Sequence, residues 1–309
     1  MNSAAASVWP DAIEIVEVSP RDGLQDYPVA VPTSTKIELI RRAAAAGARR
    51  IEVASFARPD AVPNMADAED VIKATEDIAG LTRVGLVLNE RGLDRALACG
   101  VDEINVVVVS TDTFSRRNQG MTVDDAVDVW LKIARRAHAA GLPATVTLSV
   151  AFGCPFEGDV EPETILGLAR RAAEGLPAAI VLADTIGAGV PAEVESLVTR
   201  VRSATELPVR CHLHDTRNTG VANAVAAIRA GATGLDASIG GLGGCPFAPS
   251  SQGNVATEDL VWTLERMGVS TGIDLDKLLG AVRWLGTELD AEIGGAVARA
   301  GPFPPSRSE

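Results

Sequence analysis

Aromatic residues are scarce: they make up 4% of a 309-residue chain, so Ala, Val, Leu and Ile must do most of the packing. Positive charge is also short. The 28 Lys and Arg against 41 Asp and Glu leave a formal net charge of −13. That balance excludes nucleic acid as a partner, because a phosphate backbone needs a basic face. It equally disfavours an anionic membrane surface, and an anionic ligand would need a locally basic site. No apolar run reaches the ~20 residues that cross a bilayer. The opening "MNSAAASVWPDA" has neither a basic patch nor a long apolar stretch, so no secretory signal is expected. The four cysteines, Cys99, Cys154, Cys211 and Cys245, include no C-x-x-C pair. Their scatter excludes a thiolate zinc site or a dithiol redox site and reads as reduced thiols of a cytoplasmic protein.

What is present is a repeat. The hydrophobic fraction of 47% and charged fraction of 22% fit a soluble globular protein with a sizeable core. Eight β-branched runs, at 13–20, 49–56, 83–89, 103–110, 143–152, 178–186, 208–215 and 234–241, alternate with Ala/Leu/Arg-rich runs of helical period. Helix candidates include 34–48 and 123–141, and Gly47, Gly100, Gly141 and Gly231 stand as C-caps. Eight strand–helix units predict an α/β protein with a closed (β/α)8 TIM barrel. No Gly-rich dinucleotide loop follows the first strand, which counts against an open doubly wound sheet. Two extra C-terminal helices are expected at 256–268 and 274–298. A single catalytic domain over 1–309 follows, with an ordered core at about 13–290 and a disordered Pro- and Ser-rich tail at 301–309.

In such a barrel the chemistry sits at the carboxyl ends of the strands. Arg21 and Asp22 follow the first strand, Glu52 lies in the second, Asn89 ends the third and Ser110 the fourth. Asp184 lies near the end of the sixth, and His212, His214 and Asp215 end the seventh. His212 and His214, two apart in a strand, share a face. With Asp22 and the amide oxygen of Asn254 they suit an octahedral divalent ion such as Mg or Mn. Alone, Asp22 reads equally as a turn residue and Asn254 as a helix N-cap. Arg21 either stabilises an enolate or pairs with Glu52 or Asp184. Glu17 is expected to face inward behind the histidines or Arg21. His138 reads as a helix-surface residue, Cys154 as structural and Cys211 as core. The run "GGLGGCPFAPSSQGN" (240–254) places Cys245 on a pliable rim segment, as a lid would need.

The stretches "EVSPRDGLQ", "IEVASF", "GCPFEG", "LADTIG", "HLHDT" and "GGLGGCPFAPSSQGNVATEDLVWTLERMG" resemble the 3-hydroxy-3-methylglutaryl-CoA (HMG-CoA) lyase family over about residues 13–290. The resemblance implies a lyase cleaving HMG-CoA to acetyl-CoA and acetoacetate, a step of leucine catabolism, with a homodimer as the expected assembly. It implies metal ligation by Asp22, His212, His214 and Asn254. It places Arg21 at the thioester carbonyl and Glu52, Asp184 and Cys245 in or near the acid–base chemistry. Two departures touch substrate identity: Asp26-Tyr27-Pro28 stands where the family usually reads Asn-Glu-Lys, and Arg217-Asn218-Thr219 follows H-D-T. Arg116 and Arg117 are candidates for the CoA phosphates, or simply a solvated pair. The alternatives are the same chemistry on another 3-hydroxy-3-carboxymethyl acyl-CoA, a Claisen-type synthase, or an inactive barrel kept as a binding protein.

Overall fold

The computed structural model describes residues 9–245, 248–301 and 303, with only the backbone for 245 and 248–252. Eight parallel strands close into a barrel: β1 (Glu14–Glu17), β2 (Arg50–Ser55), β3 (Thr82–Val87), β4 (Glu103–Val109), β5 (Ala144–Ser149), β6 (Ile180–Asp184), β7 (Val209–Leu213) and β8 (Gly234–Ala237). β1 pairs with both β2 and β8, which completes the ring. Around it lie α1 (Thr33–Ala46), α2 (Ala68–Ala74), α3 (Glu90–Cys99), α4 (Asp112–Gln119), α5 (Val123–Ala139), α6 (Pro162–Ala173), α7 (Pro191–Thr205), α8 (Gly220–Arg229) and α9 (Thr257–Arg266). After them come α10 (Leu275–Glu288) and α11 (Ala296–Ala300). The TIM-barrel expectation is met. Among the described residues no helix is long and apolar enough to cross a membrane.

Local chemistry sets the helix ends. Thr122 and Asp125 form a capping box that starts α5. Asn89, a rim candidate in the sequence, is the N-cap of α3 and accepts from Gly92 N at 2.9 Å. The helix run expected to reach 298 breaks instead after Glu288. Asp290 and Gly294 have φ of 47° and 130°, which no α-helix continues through.

Strand alternation divides the side chains into two sets. Outward from the wall point Ile15, Ile51, Ile104, Val106, Val146, Leu148, Leu182, Cys211, Leu213 and Leu235, which join the helices in one apolar cluster. Trp130 is fully buried there and donates its indole N–H to Ala172 O at 2.8 Å. Cys154 is buried as well, its sulfur 3.1 Å from the Thr111 hydroxyl. The register gives the inward set: Glu52 on β2, Glu103 and Asn105 on β4, Thr145 and Thr147 on β5, Arg210 and His212 on β7, and Asp236 on β8. The polar groups therefore gather in the lumen while the hydrocarbon lies outside it.

Candidate active site

β1 runs into a π-helical turn, Ser19–Gly23, whose residues Asp22 and Gly23 donate back to Val18 O. The turn holds Arg21 and Asp22 over the lumen. Arg21 is buried, and it donates from Nε to Glu52 Oε2 at 2.6 Å and from NH1 to Asp22 Oδ1 at 2.6 Å. Its NH2 also pairs with Glu52. Of the two partners expected for Arg21, the structure selects Glu52. The other Glu52 oxygen accepts from Asn105 Nδ2 at 3.1 Å, and Asn105 in turn accepts from Thr147 at 2.9 Å. Both faces of the Glu52 carboxylate are thus occupied, and the guanidinium plane is fixed from two sides.

At the end of β7 the two imidazoles turn together. His212 Nε2 lies 3.3 Å from His214 Nε2 and 3.9 Å from Asp22 Oδ2. One ligand atom from each of Asp22, His212 and His214 lies within 4.8 Å of the others. Asn254 joins them by pairing with His214 across an isolated bridge. Its Nδ2 donates to Asp22 Oδ2 at 2.6 Å and to Leu242 O at 2.9 Å. Gly243, at φ 115°, makes that approach possible, since a Cβ there would stand 2.4 Å from Asn254 Nδ2.

The donor set fits a divalent cation. Asn254 Oδ1 is buried with no hydrogen-bond partner, an acceptor left open beside a carboxylate and two ring nitrogens. A carboxylate, an amide oxygen and two imidazoles are the ligands that Mg- or Mn-type ions take. Electrostatics keep Asp22 and His214 in the ligating state, while at His212 burial is outweighed by the carboxylates of Asp236 and Asp22, which draw that ring upward. Burial raises the Asp22 carboxyl, but Arg21 and the two histidines outweigh it and hold the group well below the usual carboxylate range. Burial and the neighbouring His212 push His214 down to about 3, so this ring is neutral at physiological pH.

Not every expected residue arrives here. Glu17 does not face inward: it shares the outer parity of β1 with Ile15 and pairs in register with Ala237. Its carboxylate accepts from Ser19 N, Ile239 N and the Thr257 hydroxyl, at 2.9, 3.0 and 2.7 Å, and touches neither histidine nor Arg21. Asp184 pairs in register with outward Leu213, one step past Ala183 and His212. Its two oxygens accept from Ala188 N and Gly189 N, so it braces the loop after β6. Arg116 and Arg117 are exposed on α4, which starts at the carboxyl end of β4. Arg116 lies 3.7 Å from Asp112, and Arg117 stacks on Phe156 at 4.2 Å. The Cys245 side chain lies outside the described residues, as does most of the tail expected to be disordered. The backbone of Cys245 pairs with Ala248 in a short ribbon, β9 (Gly244–Cys245) with β10 (Ala248–Gln252), that leads into Asn254.

Two neighbours of the site have no counterpart in the sequence-based expectations: Asn105 behind Glu52, and Asp236, whose Oδ2 lies 3.4 Å from His212 Nδ1. Each is a polar residue at an inward position of an otherwise apolar run, and that parity was the available signal.

Comparison with known proteins gives a consistent family. Residues 12–284 match the HMGL-like family. An (R)-citramalyl-CoA lyase of Chloroflexus aurantiacus is 40% identical over 96% of this chain and 96% of its own length. A hydroxymethylglutaryl-CoA lyase of Bacillus subtilis is 40% identical over 90% of this chain and 93% of its own. A solved HMG-CoA lyase of Acinetobacter baumannii, in complex with coenzyme A and 3-methylmalate, superposes with a TM-score of 0.91 at 37% identity, covering 95% of this chain and 96% of that one. The chain therefore belongs to the HMGL-like family, as an oxo-acid lyase built on a TIM barrel.

Proposed function

We propose that this protein is a divalent-metal-dependent lyase that cleaves HMG-CoA to acetyl-CoA and acetoacetate. The observation that carries the reading is the placement of the fixed Arg21 guanidinium beside the donor set Asp22, His212, His214 and Asn254. A Mg or Mn ion held by those four residues supplies Lewis-acid polarisation of substrate oxygens. The rest of the chemistry falls to the chain. A retro-Claisen cleavage takes the proton from the tertiary alcohol, breaks the carbon–carbon bond and leaves its electron pair as a thioester enolate. Arg21 offsets that growing negative charge, and Glu52 with Asn105 holds the guanidinium in place so that little reorganisation is needed. Cys245, on the ribbon that leads into Asn254, gives its thiol proton to the enolate carbon, and the thiolate left behind takes up the proton released by the alcohol, so that no net proton is gained or lost; its glycine-rich segment excludes water. Arg116 and Arg117, at the same end of the barrel, offer charge to the CoA phosphates.

The Chloroflexus relative favours a second reading, citramalyl-CoA, in which the free carboxylate sits one methylene closer to the carbinol carbon. One methylene is worth about 1–3 kcal/mol of discrimination, so a single assay separates the two. Both thioesters should be offered with Mg or Mn, and acetoacetate and pyruvate measured beside acetyl-CoA. HMG-CoA is expected to react at least about tenfold faster in kcat/KM. A reversed ratio moves the assignment to citramalyl-CoA. Release of acetyl-CoA that survives exhaustive chelation would remove the metal from the reading.

A further inference from the structure

Beneath the site the lumen carries charges that the reaction above leaves unused. Arg210 NH2 donates to Asp236 Oδ1 at 2.7 Å, and the other oxygen of that carboxylate lies 3.4 Å from His212 Nδ1. On its far side Arg210 faces Glu103 at 3.9 Å. Glu103 pairs with Arg50, which reaches Glu14 at 3.0 Å. The signs alternate from the amino-terminal end of the barrel up to the imidazole. Arg210, Asp236 and Glu103 are only 6%, 5% and 4% exposed, and charges so buried persist only when paired. Gly234 belongs to the arrangement. A Cβ there would stand 3.1 Å from Arg210 Cγ and 3.3 Å from Cδ, so the glycine leaves the arginine its path.

An ionised carboxylate can only accept, so one placed at Nδ1 holds the ring proton on that nitrogen. The lone pair is then on Nε2, the atom that faces His214 and Asp22. Turning the carboxylate away from His212 would break the buried pair with Arg210. We propose that Asp236 is a positioning residue that fixes His212 in the tautomer able to ligate through Nε2, and that Arg210 fixes Asp236. The purpose of this device rests on the metal reading above, but the tautomer is a property of the metal-free protein.

The test uses the full chain with isotope-labelled histidine. Three histidines give three imidazoles, so each ring can be assigned by single replacement. In mildly alkaline, metal-free buffer, His212 is expected as the Nδ1–H tautomer. Asp236→Asn presents an amide that donates to Nδ1, and His212 should move to the Nε2–H form. Mn(II) affinity, read from the resonance of the free ion, should then weaken about 10–100-fold without a matching loss of melting temperature. Arg210→Met should weaken it by a smaller factor, and Arg210→Lys should recover part of that loss. An Nε2–H tautomer in the unmodified protein overturns the proposal, and so does unchanged Mn(II) affinity in a folded Asp236→Asn. Should Asp236→Asn fail to fold, the unmodified tautomer and the two Arg210 variants decide. Unmodified protein that binds no Mn(II) defeats the metal reading instead, and the tautomer then decides the role of Asp236 alone.

Discussion

The outer side of β4 carries Ile104, Val106 and Val108, while its inner side carries Glu103 and Asn105. β7 repeats the division, with Val209, Cys211 and Leu213 outside and Arg210 and His212 inside. One wall thus separates two kinds of interior. The outer layer is hydrocarbon, and each apolar side chain removed from water there adds stability. The lumen is a lattice of charges and amides that is neutral in cost only while every partner is present. Stability should therefore depend on the shell and chemistry on the lumen, and variants on the two faces should fail in different ways.

The largest break is expected at His214. His214→Ala removes one of the proposed ligands from the mouth of the lumen and leaves the shell intact. Turnover should fall by at least about 10³-fold, Mn(II) titration should show lost affinity, and the melting temperature should change little. The converse is Trp130→Ala. It opens a cavity in the shell and removes the indole hydrogen bond to the Ala172 carbonyl, so chemical denaturation should show a loss of about 3–5 kcal/mol. Its kcat per folded molecule should stay normal. A Trp130 variant with full stability, or a lower kcat in the folded fraction, would break the division between faces.

Arg21 tests the boundary, since it is both paired and proposed to act on the substrate. Arg21→Gln keeps a donor and removes the fixed charge. If the charge offsets an enolate, kcat should drop by about 10²–10³ with much less change in KM. If Arg21 serves only to hold Glu52 and Asp22 together, thermal melting would shift while kcat stayed near normal. Melting and steady-state kinetics on the same preparation separate the two.

The barrel was legible because eight β-branched runs alternate with helical ones, and a closed ring follows from the count. The grouping of Asp22, His212 and His214 was legible because H-x-H puts two rings on one face whatever the register. Parity was harder to read at strand ends. Glu17 and Asp184 lie one residue from inward positions, and a single step reverses the face. The π-helical turn of Ser19–Gly23 has no signature of its own, yet it decides where Arg21 points. Asp236 and Asn105 act through partners far apart in sequence, 24 residues in the one case and 53 in the other, so no local spacing reveals them.

Glu17 offers the finest probe, because it is a titratable group embedded in the shell. Burial raises its carboxyl to about 7, against the opposing hydrogen bonds from Ser19, Thr257 and Ile239. In the unfolded chain the same group titrates near the ordinary 4.5. Between those values the folded protein holds a proton that the unfolded chain has released. Stability from this group is therefore complete below about pH 4.5 and is lost as the pH rises to about 7. At about 1.4 kcal/mol per unit, the whole window amounts to at most about 3.5 kcal/mol. Glu17→Gln cannot titrate, so it should flatten that part of the profile while leaving the lumen untouched. Denaturation of both proteins from about pH 5 to about pH 8 measures the difference directly, and the other buried carboxyls cancel in the comparison. Parallel profiles would mean that Glu17 is ionised throughout. The three hydrogen bonds that tie β1, the segment after β8 and α9 would then outweigh the cost of burying the charge.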